Sequence, residues 1–123
     1  PDWIRRTWRL RAGALLNVCV GPNGELSGYD GLIFNAYEWR SGFIHELGPV
    51  IAPAFKDRGL ALCLRRFTRA RLEGSFLKGI STLINPGELA AMRAAQLSGF
   101  AIIKMAAKPR AYYLTCRLHP HKS

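Results

Sequence analysis

The spacing of apolar residues changes at Pro53, and this change constrains the fold more than any other feature of the sequence. Before it, Gly42 to Ala52 has the composition of a strand. After it, apolar residues recur on one helix face, which predicts an amphipathic helix from about Gly59 to Glu73 that Gly74 ends. That face consists of Leu60, Cys63, Leu64, Phe67 and Ala70. The strand Leu77 to Ile84 follows, and this order predicts parallel neighbours with the helix on one sheet face.

Two further strands precede the one that ends near Pro53. Ala14 to Val20 and Ser27 to Glu38 flank a turn-forming cluster at residues 21–25, which predicts a hairpin. The first three strands are therefore expected to pair as an antiparallel meander.

Pro49 lies inside the third strand and cannot donate a hydrogen bond to the ladder. Gly48-Pro49 therefore predicts a bulge or the end of pairing to one neighbour. Divergence there would leave a gap in the sheet beside the amino end of the helix. Backbone N–H groups and the macrodipole favour an anion at such a helix end.

The last third of the chain predicts one helix and a hairpin. Asn85 as N-cap, Pro86 at the first helical position and Glu88 in a capping box predict a helix that ends before Gly99. The strands Ala101 to Ala106 and Ala111 to Leu118 are joined through residues 108–110.

The element order β-β-β-α-β-α-β-β predicts an α/β (α+β) fold with a mixed, mainly antiparallel sheet that is splayed at the bulged third strand. The domain is expected to span residues 14–118. Residues 1–13 are an amino-terminal extension or the start of the first strand, and residues 119–123 are a tail. No apolar stretch could cross a membrane and the first residues lack a signal-peptide core, so we expect a cytoplasmic protein without a membrane partner.

Basic residues are the compositional outlier: eighteen Lys and Arg against eight Asp and Glu leave a formal charge of +10. Arg65, Arg66 and Arg69 fall opposite the apolar face of the predicted helix, where we expect them in solvent. Such a field attracts anions, nucleic acid included, but no zinc spacing, helix-turn-helix or aromatic RNA-binding signature accompanies it. The cysteines Cys19, Cys63 and Cys116 lack a metal-ligand spacing, so they are expected to be reduced and no metal is expected.

The loop Lys56-Asp57-Arg58-Gly59-Leu60-Ala61 is similar to the acetyl-CoA motif of the GNAT N-acetyltransferases, which reads Gln or Arg, two residues, Gly, any residue, then Gly or Ala. It follows a strand and opens an amphipathic helix, as a pyrophosphate cradle requires. Asn85-Pro86-Gly87-Glu88 through Gly99-Phe100 resembles the next helix of that family. The resemblance extends over about Ala14 to Leu118 and implies a GNAT-like fold.

The resemblance implies an N-acyltransferase that transfers acetyl from acetyl-CoA to a primary amine by direct attack. Gly59 and Ala61 would permit backbone approach to phosphate, while Lys56 and Arg58 would add cationic donors. The residues expected to bind acetyl-CoA are Val50, Ile51, Ala52, Lys56, Asp57, Arg58, Gly59, Leu60, Ala61 and Asn85. Backbone groups of Val50 and Ala52 would pair with the pantetheine arm, and the Val50 N–H could polarise the thioester carbonyl.

Glu46 is the candidate general base, because a carboxylate can take the proton of the acceptor ammonium. The alternative interpretation of Glu46 is a surface carboxylate that balances the charge of nearby arginines. Strand alternation sends His45 and Glu46 to opposite faces, so at most one faces the cleft, and His45 is expected to be packed or to touch solvent. Ala95 stands where many members have a tyrosine that protonates the thiolate, and Glu88 where many have an asparagine. The general acid is therefore unassigned.

The amino-terminal part departs further from the family, which usually has a strand and two helices where this chain has residues 1–13. A fragment, a partner surface that completes the acceptor pocket, or an open acceptor site would each explain this. A CoA-binding domain without catalysis and a basic nucleic-acid-binding module are the alternative functions. The charge would also suit a tRNA or ribosomal protein as acceptor. The acceptor, the acyl chain and the oligomeric state, a homodimer included, are left open.

Overall fold

The computed structural model describes residues 4–9, 14–108 and 110–119. Within these ranges seven strands form one sheet. The strands are β1 Ile4–Arg9, β2 Leu15–Val20, β3 Leu26–Ile33, β4 Phe43–Ile51, β5 Gly79–Ile84, β6 Ala101–Ala107 and β7 Arg110–Arg117. The helices are α1 Ala36–Trp39, α2 Leu60–Leu72 and α3 Leu89–Leu97, with a 3-10 turn at Pro53–Phe55. Residues 1–3, 10–13, 109 and 120–123, which include most of the expected tail, lie outside the described residues.

The sheet has the order β1-β2-β3-β4-β5-β7-β6. Among the described strands only β4 and β5 pair in parallel, and α2 connects them. The mixed, mainly antiparallel sheet, the β2-β3-β4 meander and the parallel crossover are therefore confirmed. The segment 1–13 carries an additional strand, because β1 pairs antiparallel with β2 from Ile4↔Val20 to Arg9↔Leu15.

Helices α2 and α3 cover one face of the sheet. The main core cluster lies beneath them and includes Leu32, Ile44, Ile80, Phe100 and Leu114. Cys19, Leu60 and Leu64 form a second cluster under the amino end of α2. We call this the helix face of the sheet. The opposite face, which we call the open face, carries only α1 among the described helices.

The inner side of α2 differs from the expectation in one residue. It buries Leu60, Leu64, Thr68 and Leu72, which recur every fourth position, but it also buries Arg65. Arg65 is only 2% exposed, so the expectation that it lies in solvent was wrong. The guanidinium is accommodated because acidic side chains of β3 and β4 lie beneath the helix, as described below.

Two element boundaries also differ from the expectation. The second predicted strand, Ser27 to Glu38, stops at Ile33, and residues 36–39 form α1 instead. Asn35 ends the strand because its side-chain oxygen accepts the Glu38 N–H at 3.3 Å, as an N-cap does.

The other boundary is the start of α3, which begins at Leu89 rather than at Pro86. Asn85 is not its N-cap, because the Asn85 Oδ1 accepts the Gly87 N–H at 3.1 Å and the Asn85 carbonyl accepts the Glu88 N–H at 2.9 Å. These bonds close a turn, a conformation that Asn, Pro and Gly favour over a helix. Glu88 occupies the N-cap position without a side-chain capping bond.

Candidate active site

A gap opens in the middle of the sheet between β4 and β5. Their pairing covers only Phe43↔Gly79 to Glu46↔Thr82. Beyond that point β4 continues to Ile51 against β3 alone, while β5 continues to Ile84 against β7. The expected splay is therefore present.

A bulge marks the point where the strands separate. The partners of β4 on β3 shift between Glu46↔Leu32 and Gly48↔Gly31, which leaves Leu47 as the extra residue. Gly48 has a φ of 103°, which its lack of a side chain permits. The bulge expected at Gly48-Pro49 thus lies at the preceding residue, and bulges increase the local twist of a strand.

The edge of β4 that faces the gap is formed by different residues than expected. The Ala52 N–H donates to the Ser27 carbonyl at 2.8 Å, and the Ala52 carbonyl accepts the Phe55 N–H at 2.8 Å. Both backbone groups of Ala52 therefore have partners within the chain, so its N–H is not free to donate to a ligand. Antiparallel strands alternate the direction of their backbone groups, so Val50, opposite Tyr29, also points to β3.

By the same alternation Ile51 and Pro49 direct their backbone groups into the gap. Ile51, one of the three β4 residues expected to contact acetyl-CoA, therefore offers both an N–H and a carbonyl there. Pro49 offers a carbonyl only, because proline has no N–H. A ligand that lies along this edge meets one backbone donor at Ile51 and none at Pro49.

The loop between β4 and α2 lies at the end of the gap. Asp57 and Gly59 both have left-handed backbones, with φ of 62° and 74°, and they turn the chain into the helix. Lys56, Asp57, Arg58 and Gly59 are all exposed. The first N–H groups of a helix lack intrahelical partners, and α2 has no side-chain cap.

These uncapped N–H groups follow directly after exposed basic side chains of the loop. The Arg58 guanidinium lies 5.6 Å from the centroid of the Phe55 ring, which holds it near the loop. The side chain of Leu60 is buried against Cys19 and Leu64, so only its backbone can serve a ligand. This loop can accept an anion through the helix end and through charge.

The other side of the gap is formed by the end of β5. Asn85 follows that strand directly and is exposed. Ala95 is completely buried in the main core cluster and has no group that can donate a proton. The general acid stays unassigned.

Glu46 lies on the helix face, beneath α2. Its side chain has 0% exposure, and its Oε1 forms an ion pair with the Arg65 guanidinium. Burial, together with the neighbouring Asp30 carboxyl, raises the pKa of Glu46 well above its usual range. The role of Glu46 as general base stays a prediction, and its burial and raised pKa weigh against that role.

Asp30 extends this buried cluster across the sheet. Its Oδ2 accepts the Thr68 hydroxyl at 2.8 Å, and Thr68 in turn accepts the Asn17 amide at 2.7 Å. Burial also raises the pKa of Asp30. Two buried carboxyl groups thus lie near one guanidinium, that of Arg65, which pairs directly with Glu46, and this arrangement favours keeping a proton on the two carboxyl groups.

His45 lies on the open face, at the point where β4 and β5 separate. Its Nδ1 lies 3.3 Å from the Glu38 Oε1 and 3.0 Å from the Ser81 hydroxyl. The Tyr113 hydroxyl donates to the Glu38 Oε2 at 2.7 Å. The side chains of His45 and Glu38 are 13% and 15% exposed, so this cluster borders solvent.

The open face also carries an apolar depression of about 230 Å³ along β4. Leu16, Tyr29, Ile33, Leu47 and Val50 are among its lining residues. Ile33 is the β3 partner of His45, so the depression and the His45 cluster adjoin.

No family model and no curated protein sequence matches the chain. An acetyltransferase of GNAT family from Staphylococcus aureus superposes with a TM-score of 0.71 at 13% identity, over 89% of this chain and 71% of that one. A Bacillus subtilis acetyltransferase in complex with CoA gives 0.74 at 11% identity, over 85% and 77%. A spermidine N-acetyltransferase SpeG chimera from Vibrio cholerae and hSSAT gives 0.71 at 16% identity, over 87% and 70%.

The chain has the GNAT fold. The resemblance noticed in the loop before α2 and in the Gly99-Phe100 end of α3 is thereby confirmed for the fold. At these identities the likeness does not carry residue roles, so the assignments at the gap of this GNAT fold rest on its own geometry. In the part of the chain that the structure describes, no helix is both long and apolar enough to cross a membrane.

Proposed function

We propose that this chain is an acyl-CoA-dependent N-acyltransferase that transfers an acetyl group from acetyl-CoA to a primary amine. One observation carries the proposal: the unpaired edge of β4 leads directly to the uncapped amino end of α2. An extended arm can pair with the strand edge while its phosphates meet the helix end. Among the similar structures, one is an acetyltransferase in complex with CoA.

In this proposal the pantetheine arm lies in the gap, between Ile51 on β4 and Asn85 after β5. The pyrophosphate lies against the loop from Lys56 to Ala61, where Lys56, Arg58 and the backbone of Gly59 contact it. Asp57 contributes through its left-handed backbone rather than through its charge. Because Pro49 lacks an N–H, the thioester carbonyl must take its donor from elsewhere along the gap.

The chemistry is direct attack. An unprotonated amine attacks the thioester carbonyl carbon, a C–N bond forms, and the C–S bond breaks with its electron pair on sulfur. The attacking nitrogen loses one proton as the amide forms, and the thiolate takes up a proton. A tRNA or a ribosomal protein as the amine acceptor stays a prediction from the charge of +10.

The first test is stabilisation by CoA. A ligand that binds only the folded state adds roughly RT ln(1 + [L]/Kd), about 2.7 kcal/mol at a hundredfold excess over Kd. We expect CoA to raise the thermal midpoint by several degrees, measured by calorimetry, and pantetheine without phosphates to raise it less. No shift at millimolar CoA would remove the proposal.

The second test locates the phosphate site. Gly59→Val and Arg58→Ala should each weaken CoA binding about tenfold or more in titration calorimetry, because one blocks the helix end and the other removes a charge-assisted donor.

Each variant has a matched control in the same chain. Gly74 has a φ of 76°, close to the 74° of Gly59, and a side chain at either position would meet open space. Gly74→Val therefore imposes the same backbone strain at the far end of α2. Arg93 is an exposed arginine on α3, so Arg93→Ala removes a charge elsewhere. Equal affinity in the test and control variants would show that the loop has been misplaced.

A CoA-binding domain without catalysis is the second candidate, and two observations favour it. Ala95 supplies no proton donor, and Pro49 supplies no N–H at the gap. CoA binding without acetylation of spermidine, benzylamine or a lysine peptide would favour this candidate over the enzyme.

A further inference from the structure

The proposed reaction needs a base that an acceptor can reach. Glu46 cannot be reached, because its side chain has 0% exposure and lies under α2. His45 is the adjacent residue on β4 and points to the open face, beside the apolar depression and at the end of the β4–β5 pairing. An acceptor that approaches the gap from the open face would therefore meet His45 and not Glu46.

The contacts of the His45 ring determine which nitrogen can accept a proton. Its two polar contacts within the described part of the chain, an ion-pair contact of 3.3 Å to Glu38 and a hydrogen bond of 3.0 Å to Ser81, both involve Nδ1. A carboxylate only accepts hydrogen bonds, so Glu38 favours the tautomer with the proton on Nδ1. In that tautomer Nε2 carries the lone pair and can act as a base.

The Glu38 carboxyl group is itself held in place by two hydrogen-bond donors. The Asn35 side-chain nitrogen donates to its Oε1 at 3.1 Å, and the Tyr113 hydroxyl donates to its Oε2 at 2.7 Å. Burial raises the pKa of Tyr113, and the Glu38 carboxylate raises it further, so this hydroxyl keeps its proton as a donor. The Lys104 ammonium lies 5.6 Å from the centroid of the Tyr113 ring and adds a positive charge to this side.

We propose that His45, oriented by Glu38, takes the proton from the acceptor ammonium, an assignment that rests on the proposed N-acyltransferase function. The ammonium N–H bond breaks and its proton moves to the His45 Nε2, which leaves the amine with the electron pair that attacks the thioester. The imidazolium then points its Nδ1–H at Glu38 and releases the Nε2 proton to solvent. His45 is the catalytic residue and Glu38 is a positioning residue.

The test of His45 uses His45→Asn, whose amide can still donate toward Glu38 but lacks the Nε2 position. CoA release is measured at neutral pH with acetyl-CoA and with spermidine, benzylamine, a lysine peptide or aniline as acceptor. We expect the rate with protonated alkylamines to fall about 100-fold or more, within the usual range for a lost general base. The rate with aniline should change little, because aniline is already unprotonated. Raising the pH should recover part of the alkylamine loss.

The test of Glu38 uses Glu38→Gln, with Glu88→Gln at an exposed acidic position as control. We expect kcat to fall roughly tenfold or more with KM unchanged, because the base is misoriented rather than removed. A structural role alone would not change the imidazole tautomer. Nitrogen-15 NMR of His45 should show Nδ1–H in the parent and a mixture of tautomers in Glu38→Gln.

The outcomes separate the inference from the function on which it rests. Alkylamine acetylation that persists in His45→Asn overturns the inference and leaves the transferase standing. A parent whose His45 carries its proton on Nε2 overturns it as well. A large loss in Glu46→Gln with normal His45→Asn would return the role to Glu46. If the parent acetylates none of the amines, the proposed function fails and the inference fails with it.

Discussion

Arg65→Met is expected to lower the free energy of unfolding by about 3–5 kcal/mol at neutral pH, the usual cost of removing one partner from a buried ion pair. The substitution keeps most of the apolar volume but leaves the carboxyl groups of Glu46 and Asp30 without a cation. It also removes the guanidinium that lies 5.5 Å from the centroid of the Phe100 ring. Denaturant unfolding followed by circular dichroism measures the loss.

The control is the next residue on the same helix. Arg66 is exposed, so Arg66→Met should change the free energy of unfolding by no more than about 0.5 kcal/mol. Adding Glu46→Gln to Arg65→Met should restore part of the loss, because the amide leaves one carboxyl group fewer that requires a cation. Equal stability of Arg65→Met and Arg66→Met would contradict the account of α2 packing.

The two buried carboxyl groups, Asp30 and Glu46, are also expected to make the free energy of unfolding fall as pH rises. Burial raises the pKa values of both Asp30 and Glu46, so the folded state keeps protons that the unfolded chain has already released. Their contribution is fully present below the unfolded values, about 3.9 for Asp and 4.3 for Glu, and is lost as pH rises through the folded values. The slope approaches about 1.4 kcal/mol per pH unit for each group that stays protonated only in the folded state.

Glu46→Gln isolates this effect. The free energy of unfolding of the parent, measured in urea between pH 4 and pH 8, should fall relative to that of Glu46→Gln as pH rises. Glu88→Gln removes an exposed carboxyl group and should run parallel to the parent. Parallel curves for the parent and Glu46→Gln would mean that Glu46 is ionised when buried and that Arg65 fully compensates it.

The order of elements could be predicted from the sequence because it depends on local periodicity. The strand before Pro53, the helix after it and the parallel strand that follows were all found where apolar spacing indicated them. Arg65 was misplaced for a physical reason: periodicity counts apolar side chains and does not register a charge whose partners lie on other elements. Glu46 and Asp30 are separated from Arg65 along the chain and meet it only through the sheet.

The candidate site shows the same limit. Alternation established that His45 and Glu46 face opposite sides, but only the packing of α2 shows which side is covered. Glu38 was expected in a strand, so its contact with His45 could not be foreseen. The register of β3 against β4 determines whether the Ala52 N–H is free for a ligand, because its hydrogen bond to Ser27 depends on how the two strands align. The loop from Lys56 to Gly59 needed no such information, since its exposure follows from its place before an amphipathic helix.

Pro49 affects how the protein behaves without its ligand. A stretch of β4 with no neighbour on one side resembles the outer edge of a sheet, and exposed edges recruit strands from other molecules into aggregates. Proline on such an edge removes one rung of the ladder that an intruding strand would need. Pro49 therefore has two effects. It offers one hydrogen bond fewer to a bound pantetheine arm, and it disfavours the pairing of a strand from a second copy of the chain with the empty gap.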